Sequence, residues 1–261
     1  MKRARIAWAG AIHDAVESDG HLELLTPAFR GRRLSLDEVV WLPPLAPTPP
    51  HRPRTILALG LNYADHAKEL AFKAPEEPLV FVKGEASLTG HRALTVRPAG
   101  VAYMHYECEL AVVIGKTARN VKKADAYDFI AGYTVANDYA IRDYLENYYR
   151  PNLRVKNRDT CTVLGPWFVD AADVPDPHQL ALRTLVNGQV MQQGNTNDMI
   201  ADIPELIEYL SSFMTLGAGD VILTGTPDGV VNVNVGDEVV TEIDDIGRLV
   251  NTIVGDESFG R

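Results

Sequence analysis

The 261-residue sequence predicts a β-rich α+β domain preceded by a small, mostly β unit. Short strand-like runs, many of them bounded by turn formers such as "NG" and "GD", outnumber the helical stretches. Strands and helices do not alternate strictly, so a doubly wound parallel sheet is not expected. Six prolines within residues 43–53 ("PPLAPTPPHRP") favour an extended linker. We therefore expect residues 1–53 to form the small unit with its linker, and residues 54–261 to form the main domain.

Seven strands and four helices are expected in the main domain. Apolar and β-branched runs that end in turn residues predict the strands, and apolar residues at helical spacing predict the helix at 203–214. The apolar face of that helix comprises Ile203, Leu206, Ile207, Leu210 and Phe213. The expected strands cover residues 55–60, 78–84, 107–115, 130–138, 180–188, 220–225 and 237–243, and the expected helices cover about 62–71, 124–129, 140–148 and 203–214.

Composition limits the classes of partner. Hydrophobic residues make up 46% of the chain and charged residues 23%, which is ordinary for a globular protein. The net charge of -10 argues against nucleic acid or an anionic membrane as a partner. A small acidic substrate would need a local positive site or a bound cation.

The two cysteines, Cys108 and Cys161, indicate neither a disulfide framework nor a thiolate metal site, and a cytoplasmic location is the default expectation. Basic residues occur near the start of the chain, but His13 and Asp14 interrupt the apolar run there. We expect a strand and a turn in this region, not a signal peptide. No apolar run approaches the ~18 residues of a membrane-spanning helix.

A pair of glutamates interrupts the apolar stretch "MHYECELAVVIGK" (104–116). Side chains alternate along a strand, so Glu107 and Glu109 share one face. Two such charges roughly 5 Å apart repel by about 3 kcal/mol at an effective dielectric near 20, and a counter-charge or a bound proton must compensate. Asp138, where another predicted strand ends, offers a third carboxylate. Three oxygen ligands suit Mg²⁺ or Mn²⁺, whereas the alternative is a half-exposed strand whose glutamates meet lysines.

Histidine and glutamate lie three residues apart in "GLNYADHAKEL". In a helix, His66 and Glu69 would lie on one face. The carboxylate can then fix the tautomer of the imidazole and raise its pKa, as a proton shuttle requires. The alternative is an ordinary pair on a surface helix.

A local positive island covers residues 142–158 of this acidic chain. Arginine suits two-point recognition of carboxylates, and lysine acts as a movable charge or acid. The alternative is a solvated basic loop. The basic residues of the island are Arg142, Arg150, Arg154, Lys156 and Arg158.

Two further residues can each contact a ligand: Lys83 at a strand end and Thr226 in the turn "TGTP". The alternative for Lys83 is a plain exposed lysine, and the alternative for Thr226 is an ordinary turn residue.

Taken together, seven stretches resemble the fumarylacetoacetate hydrolase family, in the family's order, from about residue 54 to the C-terminus. The resemblance implies a mixed β-sandwich roll and a dimer with one divalent ion, Mg²⁺ or Mn²⁺, in each site. Residues 1–53 resemble the variable β unit that often precedes the domain. The stretches are "GLNYADHAKE", "PLVFVKG", "HYECELAVVIGK", "GYTVANDYAIRD", "VKNRDTCTVLGPW", "VPDPHQLALRTLVNGQVMQQGNTNDMI" and "LTGTPDGV".

Carried over by motif, the resemblance implies that Glu107, Glu109 and Asp138 bind the metal ion. It places the catalytic "H-x-x-E" pair at His66 and Glu69, in a segment that in relatives becomes ordered as a lid over the substrate.

The resemblance also assigns four residues of the substrate site. Lys156 matches the active-site lysine, and Thr226 matches the threonine of the "TGTP" turn. Arg142 and Lys83 match positions that help to hold the substrate.

One branch of the family acts in homoprotocatechuate (4-hydroxyphenylacetate) breakdown. The C-terminal half of its bifunctional isomerase/decarboxylase contains a segment that is similar to "NDYAIRDYLENYYRPNLRVKNRD" of this chain. This implies isomerisation or decarboxylation of unsaturated 2-oxo or 2-hydroxy dicarboxylic acids through a metal-bound dienolate. The expected partner is a small-molecule substrate, in a homodimer or with a paralogous subunit. Three alternatives stay open: a C–C hydrolase of acylpyruvates or fumarylacetoacetate, an oxaloacetate decarboxylase or tautomerase, and a non-catalytic oxo-acid binder.

Overall fold

The computed structural model describes residues 1–49, 52–63, 77–145 and 152–259. Strands dominate them, as the sequence predicts. The strands are β1 (Lys2–Trp8), β2 (Ala11–Ser18), β3 (His21–Leu24), β4 (Arg33–Ser35), β5 (Val40–Leu42), β6 (Ile56–Gly60), β7 (Leu79–Lys83), β8 (Leu88–Gly90), β9 (Leu94–Arg97), β10 (Met104–His105), β11 (Cys108–Ile114), β12 (Ile130–Asp138), β13 (Ala140–Ile141), β14 (Thr162–Asp170), β15 (Ala181–Val186), β16 (Gln189–Asn195), β17 (Val221–Leu223), β18 (Glu238–Ile243) and β19 (Gly247–Gly255).

The described residues form two α-helices and several short 3₁₀ helices between these strands. The α-helices are α1 (Leu153–Lys156) and α2 (Ile203–Phe213), and the 3₁₀ helices are Pro27–Phe29, Glu85–Ser87, Lys123–Phe129, Arg142–Tyr144, Ala171–Asp173, Thr196–Asp198 and Asp256–Phe259. Asp202 and Glu205 form a reciprocal capping box that starts α2, and Pro204 stands in its first turn. None of the helices in the described ranges combines the length and the apolar character needed to cross a membrane.

Three sheets build the domain. The largest runs in the order β4-β3-β2-β1-β14-β12-β11-β17-β6-β7, with β5 added beside β1 and β8 beside β14. A second sheet has the order β16-β15-β18-β19-β9, and β10 pairs with β13 in a short ribbon. Neighbours are antiparallel except for the parallel pairs β6–β17, β8–β14 and β9–β19. This mixed arrangement confirms the predicted α+β class.

The main core lies on one face of β11. Leu110 and Val112 of β11 belong to the large apolar cluster that also contains side chains of the five-stranded sheet and of α2. Ala111 and Val113 point to the opposite face, into a smaller cluster that includes Leu45 of the linker. Because β11 is buried on both faces, its sequence is almost continuously apolar. Any charged side chain on this strand therefore needs a partner of opposite charge or a hydrogen-bond partner.

The small N-terminal unit joins the large sheet directly. β1 pairs with β14, so the strands on either side of the linker belong to one sheet. The linker is held by Arg52, whose guanidinium contacts buried Asp220 at 2.6 Å, and Asp220 also accepts the N–H groups of Thr55 and Gly217. The boundary after residue 53 stays a prediction.

All seven predicted strands are present within a few residues of the expected ends. The helix at 203–214 is confirmed by α2, and a 3₁₀ helix, Lys123–Phe129, stands at 124–129. The helix expected at about 62–71 falls mostly outside the described residues. The prediction for 140–148 is wrong in its described part, which forms β13 and a 3₁₀ turn, because the backbone there pairs with a neighbouring segment: the Arg142 N–H donates to the carbonyl of Tyr103 at 2.9 Å.

His91 is a buried histidine that lies between Trp41 of β5 and Val250 of β19. It is only 8% exposed, its Nδ1 accepts the Val250 N–H at 3.1 Å, and its ring meets the Trp41 ring edge to face at 5.0 Å. Burial, followed by the charges of Arg92 and Arg248, lowers the pKa of His91 to about 4. The neutral form is therefore the one that packs.

We expect the free energy of unfolding to fall as the pH drops below about 6.5. Between about pH 6.5 and pH 4 the His91 imidazole is protonated in the unfolded chain but stays neutral in the folded protein. The contribution is at most about 3 kcal/mol, fully present above pH 6.5 and lost at the acid end. His91→Asn keeps an acceptor for Val250 and should flatten this dependence in urea titrations between pH 7 and pH 4.5. His21→Asn, at an exposed histidine, is the matched control, and a mutant curve parallel to that of the wild type contradicts the assignment.

Candidate metal and substrate site

Three carboxylates converge where β11 begins and β12 ends. Glu109 lies in β11, Glu107 just before it, and Asp138 is the last residue of β12, antiparallel to β11. The Asp138 N–H donates to the Glu107 carbonyl at 3.0 Å, which fixes the two strand ends side by side. One oxygen from each carboxylate lies within 4.8 Å of the others, and all three residues are buried. The expected side-by-side orientation of the glutamates is thus observed.

Two buried lysines face these carboxylates. Lys156 Nζ lies 2.5 Å from Glu107 Oε2 and 3.0 Å from Asp138 Oδ2. Lys83 Nζ donates to Asp138 Oδ1 and to the carbonyl of Lys156, and its side chain is fully buried. Burial alone would lower the pKa of Lys156, but the charges of Asp138, Glu107 and Glu109 raise it above the usual value. Both amines thus act as buried counter-charges, which the acidic cluster requires.

Glu109 has an oxygen that the described residues leave without a hydrogen-bond donor. Its Oε2 accepts the N–H of Gly225 at 2.6 Å, whereas its buried Oε1 has no partner among the described residues. Gly225 adopts φ +91°, a conformation that favours glycine, and an added Cβ would lie 2.9 Å from the Cβ of Asn62. Burial, with the charges of Asp138 and Glu107, raises the pKa of Glu109 well above its usual value. A cation at the three carboxylates would satisfy the orphan oxygen and offset this cost, so the residues fit a hard divalent ion.

A cavity of about 130 Å³ opens beside the carboxylates. Its polar wall contains Glu107, Arg142, Lys156 and Thr226, and the apolar wall comes mainly from β6, β7 and α1. One end of the cavity therefore offers two cations and a hydroxyl, and the other offers hydrocarbon. This combination suits a small, partly apolar acid.

Arg142 is held from behind by buried His105. The Arg142 Nε donates to His105 Nε2 at 2.9 Å, and His105 Nδ1 lies 3.0 Å from the carbonyl of Tyr106. The next residue, Asp143, accepts the N–H groups of Ala102 and Tyr103 at 2.7 and 2.8 Å. The guanidinium is thus fixed at its Nε end on the β10–β13 ribbon.

Lys83 occupies a different place from the other predicted substrate residues. Arg142, Lys156 and Thr226 line the cavity, but Lys83 lies behind Asp138 and is not part of the described cavity wall. His66 and Glu69 lie outside the described residues. His105 and Gln192, which hold Arg142 and Thr226 from behind, were not predicted from the sequence. The only sequence signal for either is a polar residue in a strand-like run.

A larger cavity, about 500 Å³, lies beneath the proline-rich linker. Its three arginines are already paired: Arg3 with Asp170, Arg5 with Asp14, and Arg54 with Glu85. The remaining wall is mostly apolar. Glu107 of the carboxylate cluster and its partner Lys156 line the smaller cavity, and we assign the candidate site there.

Known proteins resemble this chain over the region that contains the candidate site. The family model for the fumarylacetoacetate (FAA) hydrolase C-terminal domain matches residues 55–254, which include every described residue of the site. The chain belongs to the fumarylacetoacetate hydrolase family. It is 62% identical over 212 residues to the 4-hydroxyphenylacetate degradation bifunctional isomerase/decarboxylase of Escherichia coli. That alignment covers 81% of this chain and 49% of the relative, so the chain spans about half the length of that protein.

Two solved structures of family members extend the comparison. The 5-carboxymethyl-2-hydroxymuconate delta-isomerase of Mycobacterium smegmatis has a TM-score of 0.84 at 38% identity, and the match covers 98% of this chain and 99% of that one. The maleylpyruvate hydrolase of Sphingobium sp. SYK-6, in complex with manganese (II) ion and pyruvate, has a TM-score of 0.80 at 28% identity over 98% and 99% of the chains. The predicted resemblance is confirmed, and the fold it implied is that of solved family members.

Proposed function

We propose that this chain is a metal-dependent isomerase, decarboxylase or both, acting on unsaturated 2-oxo or 2-hydroxy dicarboxylic acids in 4-hydroxyphenylacetate breakdown. The observation that carries the proposal is a buried carboxylate triad, of which Glu107 lines a small cavity together with Arg142 and Lys156. The 62% identity to an isomerase/decarboxylase of that pathway supports the substrate class.

Glu107, Glu109 and Asp138 would hold one divalent ion, Mg²⁺ or Mn²⁺. When bound, the ion would supply Lewis-acid polarisation of the substrate's oxo or enol oxygen. The remaining contributions come from the protein itself. Lys83 and Lys156 hold the carboxylates together, and the hydrocarbon wall of the cavity limits access of water to the reacting atoms.

Each cationic residue contacts a different group of the substrate. Arg142, fixed at its Nε end, presents its terminal nitrogens to a carboxylate of the substrate. Lys156 places its charge near the oxygen on which negative charge develops when CO₂ leaves or when the enol proton is removed. Thr226 adds its hydroxyl to the lining of the same cavity. We assign transfer of the proton between the enol oxygen and C5 to His66, oriented by Glu69, on the motif alone.

One ultraviolet assay tests the proposal. Purified protein is mixed with 2-hydroxyhepta-2,4-diene-1,7-dioate and, separately, with 5-oxopent-3-ene-1,2,5-tricarboxylate, each with Mg²⁺, Mn²⁺ or chelator. Isomerisation conserves mass and changes the absorbance, whereas decarboxylation also releases CO₂. Absence of both reactions with either metal would exclude the proposed function.

A C–C hydrolase is the second candidate, favoured by the likeness to maleylpyruvate hydrolase. The same residues could hold an ion and an acylpyruvate, with water attacking the keto carbon. Hydrolysis yields two acids from one substrate, so product analysis with acylpyruvates in the same assay separates the two functions. A homodimer, an association with a paralogous subunit and a cytoplasmic location stay predictions.

Arg142→Ala is expected to raise KM about 10- to 100-fold with a smaller change in kcat, because a charge-assisted hydrogen bond to a substrate carboxylate is lost. Steady-state kinetics on the dienedioate measures both constants. Arg183→Ala, at an exposed arginine paired with Glu242, is the matched control. An unchanged KM for Arg142→Ala would remove this side chain from substrate binding.

A further inference from the structure

A buried glutamine connects the second sheet to the cavity. Gln192 lies in β16 and is only 1% exposed. Its Nε2 donates to Thr226 Oγ1 at 2.9 Å and to the carbonyl of Pro227 at 2.8 Å. Its Oε1 accepts from Thr184 Oγ1 at 3.1 Å and from the backbone N–H of Cys108 at 3.4 Å. The side-chain amide is therefore engaged at both ends.

The orientation of this amide follows from its backbone partners. The Pro227 carbonyl only accepts and the Cys108 N–H only donates, so the NH₂ group must face Pro227 and the oxygen must face Cys108. One hydrogen of the NH₂ group goes to Pro227, and the other points at Thr226 Oγ1. The Thr226 hydroxyl is then an acceptor toward Gln192, and its own hydrogen is directed elsewhere.

Thr226 lines the cavity, so the open side of its hydroxyl is the substrate side. We propose that Gln192 is a positioning residue: by donating to Thr226 Oγ1 it makes the Thr226 hydroxyl a hydrogen-bond donor toward a carboxylate or enolate oxygen of the substrate. The inference rests on the proposed function for the identity of the substrate and on the hydrogen-bond geometry for everything else. It predicts that the site selects anionic oxygen acceptors at this wall.

A double-mutant cycle tests the pair. Thr226→Val removes the hydroxyl, and Gln192→Met removes the amide without adding charge. Each single change is expected to lower kcat/KM for the dienedioate about 10- to 100-fold, the range for a lost hydrogen bond to a charged group. The double variant should be no worse than Thr226→Val within about threefold, since Gln192 acts through that hydroxyl. Effects that multiply, or an unchanged Gln192→Met, overturn the proposal.

Three further variants separate positioning from a structural role. Gln192→Glu places a carboxylate opposite Thr226, so the hydroxyl should donate to it and be lost to the substrate; a wild-type KM in a folded variant contradicts the proposal. Thr226→Ser retains the hydroxyl and should retain activity within about threefold. Gln193→Met, at the next and exposed residue, is the control. Melting temperatures are recorded for all of these variants. If Gln192 had only a structural role, its substitution would lower the melting temperature, and the effects of the Gln192 and Thr226 substitutions on kcat/KM would be independent.

Pyruvate binding to the Mn²⁺-loaded protein, measured by calorimetry, distinguishes failure of this inference from failure of the proposed function. If the dienedioate is not turned over but pyruvate affinity shows the same coupling between the Gln192 and Thr226 variants, the proposed function is wrong and the positioning role of Gln192 is retained. If turnover occurs and neither readout shows coupling, the pair is wrong and the function stands. Absence of turnover together with absence of pyruvate binding overturns both.

Discussion

Glu109→Gln is expected to abolish divalent-ion binding and to lower kcat/KM at least about 10³-fold, since the loss of a Lewis acid removes several kcal/mol of stabilisation of the transition state. Glu109 and Asp138 are the fully buried members of the triad, and Glu109 Oε1 has no donor among the described residues. A neutral amide offers a hard cation one weaker oxygen in place of a carboxylate. The site then retains two carboxylates, already paired with lysines.

The substitution is designed to spare the fold. The amide oxygen of the substituted side chain can still accept the N–H of Gly225, which is the hydrogen bond that the Glu109 side chain makes to the backbone. Metal content by mass spectrometry, Mn²⁺ affinity by calorimetry and the melting temperature of the metal-free protein are compared with Glu238→Gln, at an exposed glutamate in β18. Full turnover in chelator-treated wild type, or a Glu109→Gln protein that binds Mn²⁺ normally, contradicts the assigned role.

The sequence predicts the convergence of the three carboxylates well because their arrangement is local. Strand alternation alone places Glu107 and Glu109 on one face, and antiparallel pairing of β11 with β12 brings Asp138 to the same end. The apolar neighbours of the pair indicate burial, and burial requires compensation. The family resemblance then supplied Lys156 and Thr226, which line the same cavity.

Residues that act from behind the cavity were not predictable in this way. Gln192 reaches Thr226 from another sheet, and His105 reaches Arg142 across the β10–β13 ribbon. Neither contact produces a recognisable motif in the sequence, because each joins residues more than 30 positions apart. The same cause explains why residues 140–145, the described part of the helix predicted at 140–148, do not form that helix: their composition is helical, but tertiary pairing with the segment before β11 decides their conformation.

The charge balance of the site gives Lys83 and Lys156 separate tasks. With every group ionised, three carboxylates face two ammonium groups, and one negative charge is in excess. Lys83 is fully buried behind Asp138, so it can balance charge but cannot reach the cavity. Lys156 both pairs with Glu107 and lines the cavity. Of the two lysines, Lys156 alone both contacts the carboxylates and lines the cavity.

Lys156→Met is expected to change metal affinity and catalysis in opposite directions. Removing a positive charge next to Glu107 and Asp138 leaves these carboxylates less neutralised, so Mn²⁺ should bind at least about tenfold more tightly. The same loss removes the charge that stabilises the developing oxyanion, and kcat should fall about 10²- to 10³-fold. The metal-free variant should also melt earlier than the wild type, because two buried carboxylates lose a partner, and Mn²⁺ should restore more of its stability.

Three measurements check this: Mn²⁺ affinity by calorimetry, kcat at saturating Mn²⁺, and melting temperature with and without Mn²⁺. Lys122→Met, at a lysine whose side chain is 79% exposed, is the matched control and should alter none of them. If Lys156→Met weakens Mn²⁺ binding and lowers kcat together, the lysine organises the ligands instead of competing with the ion for their charge. If affinity rises while kcat is unchanged, Lys156 is a counter-charge only, and the oxyanion must be stabilised by another group at the cavity.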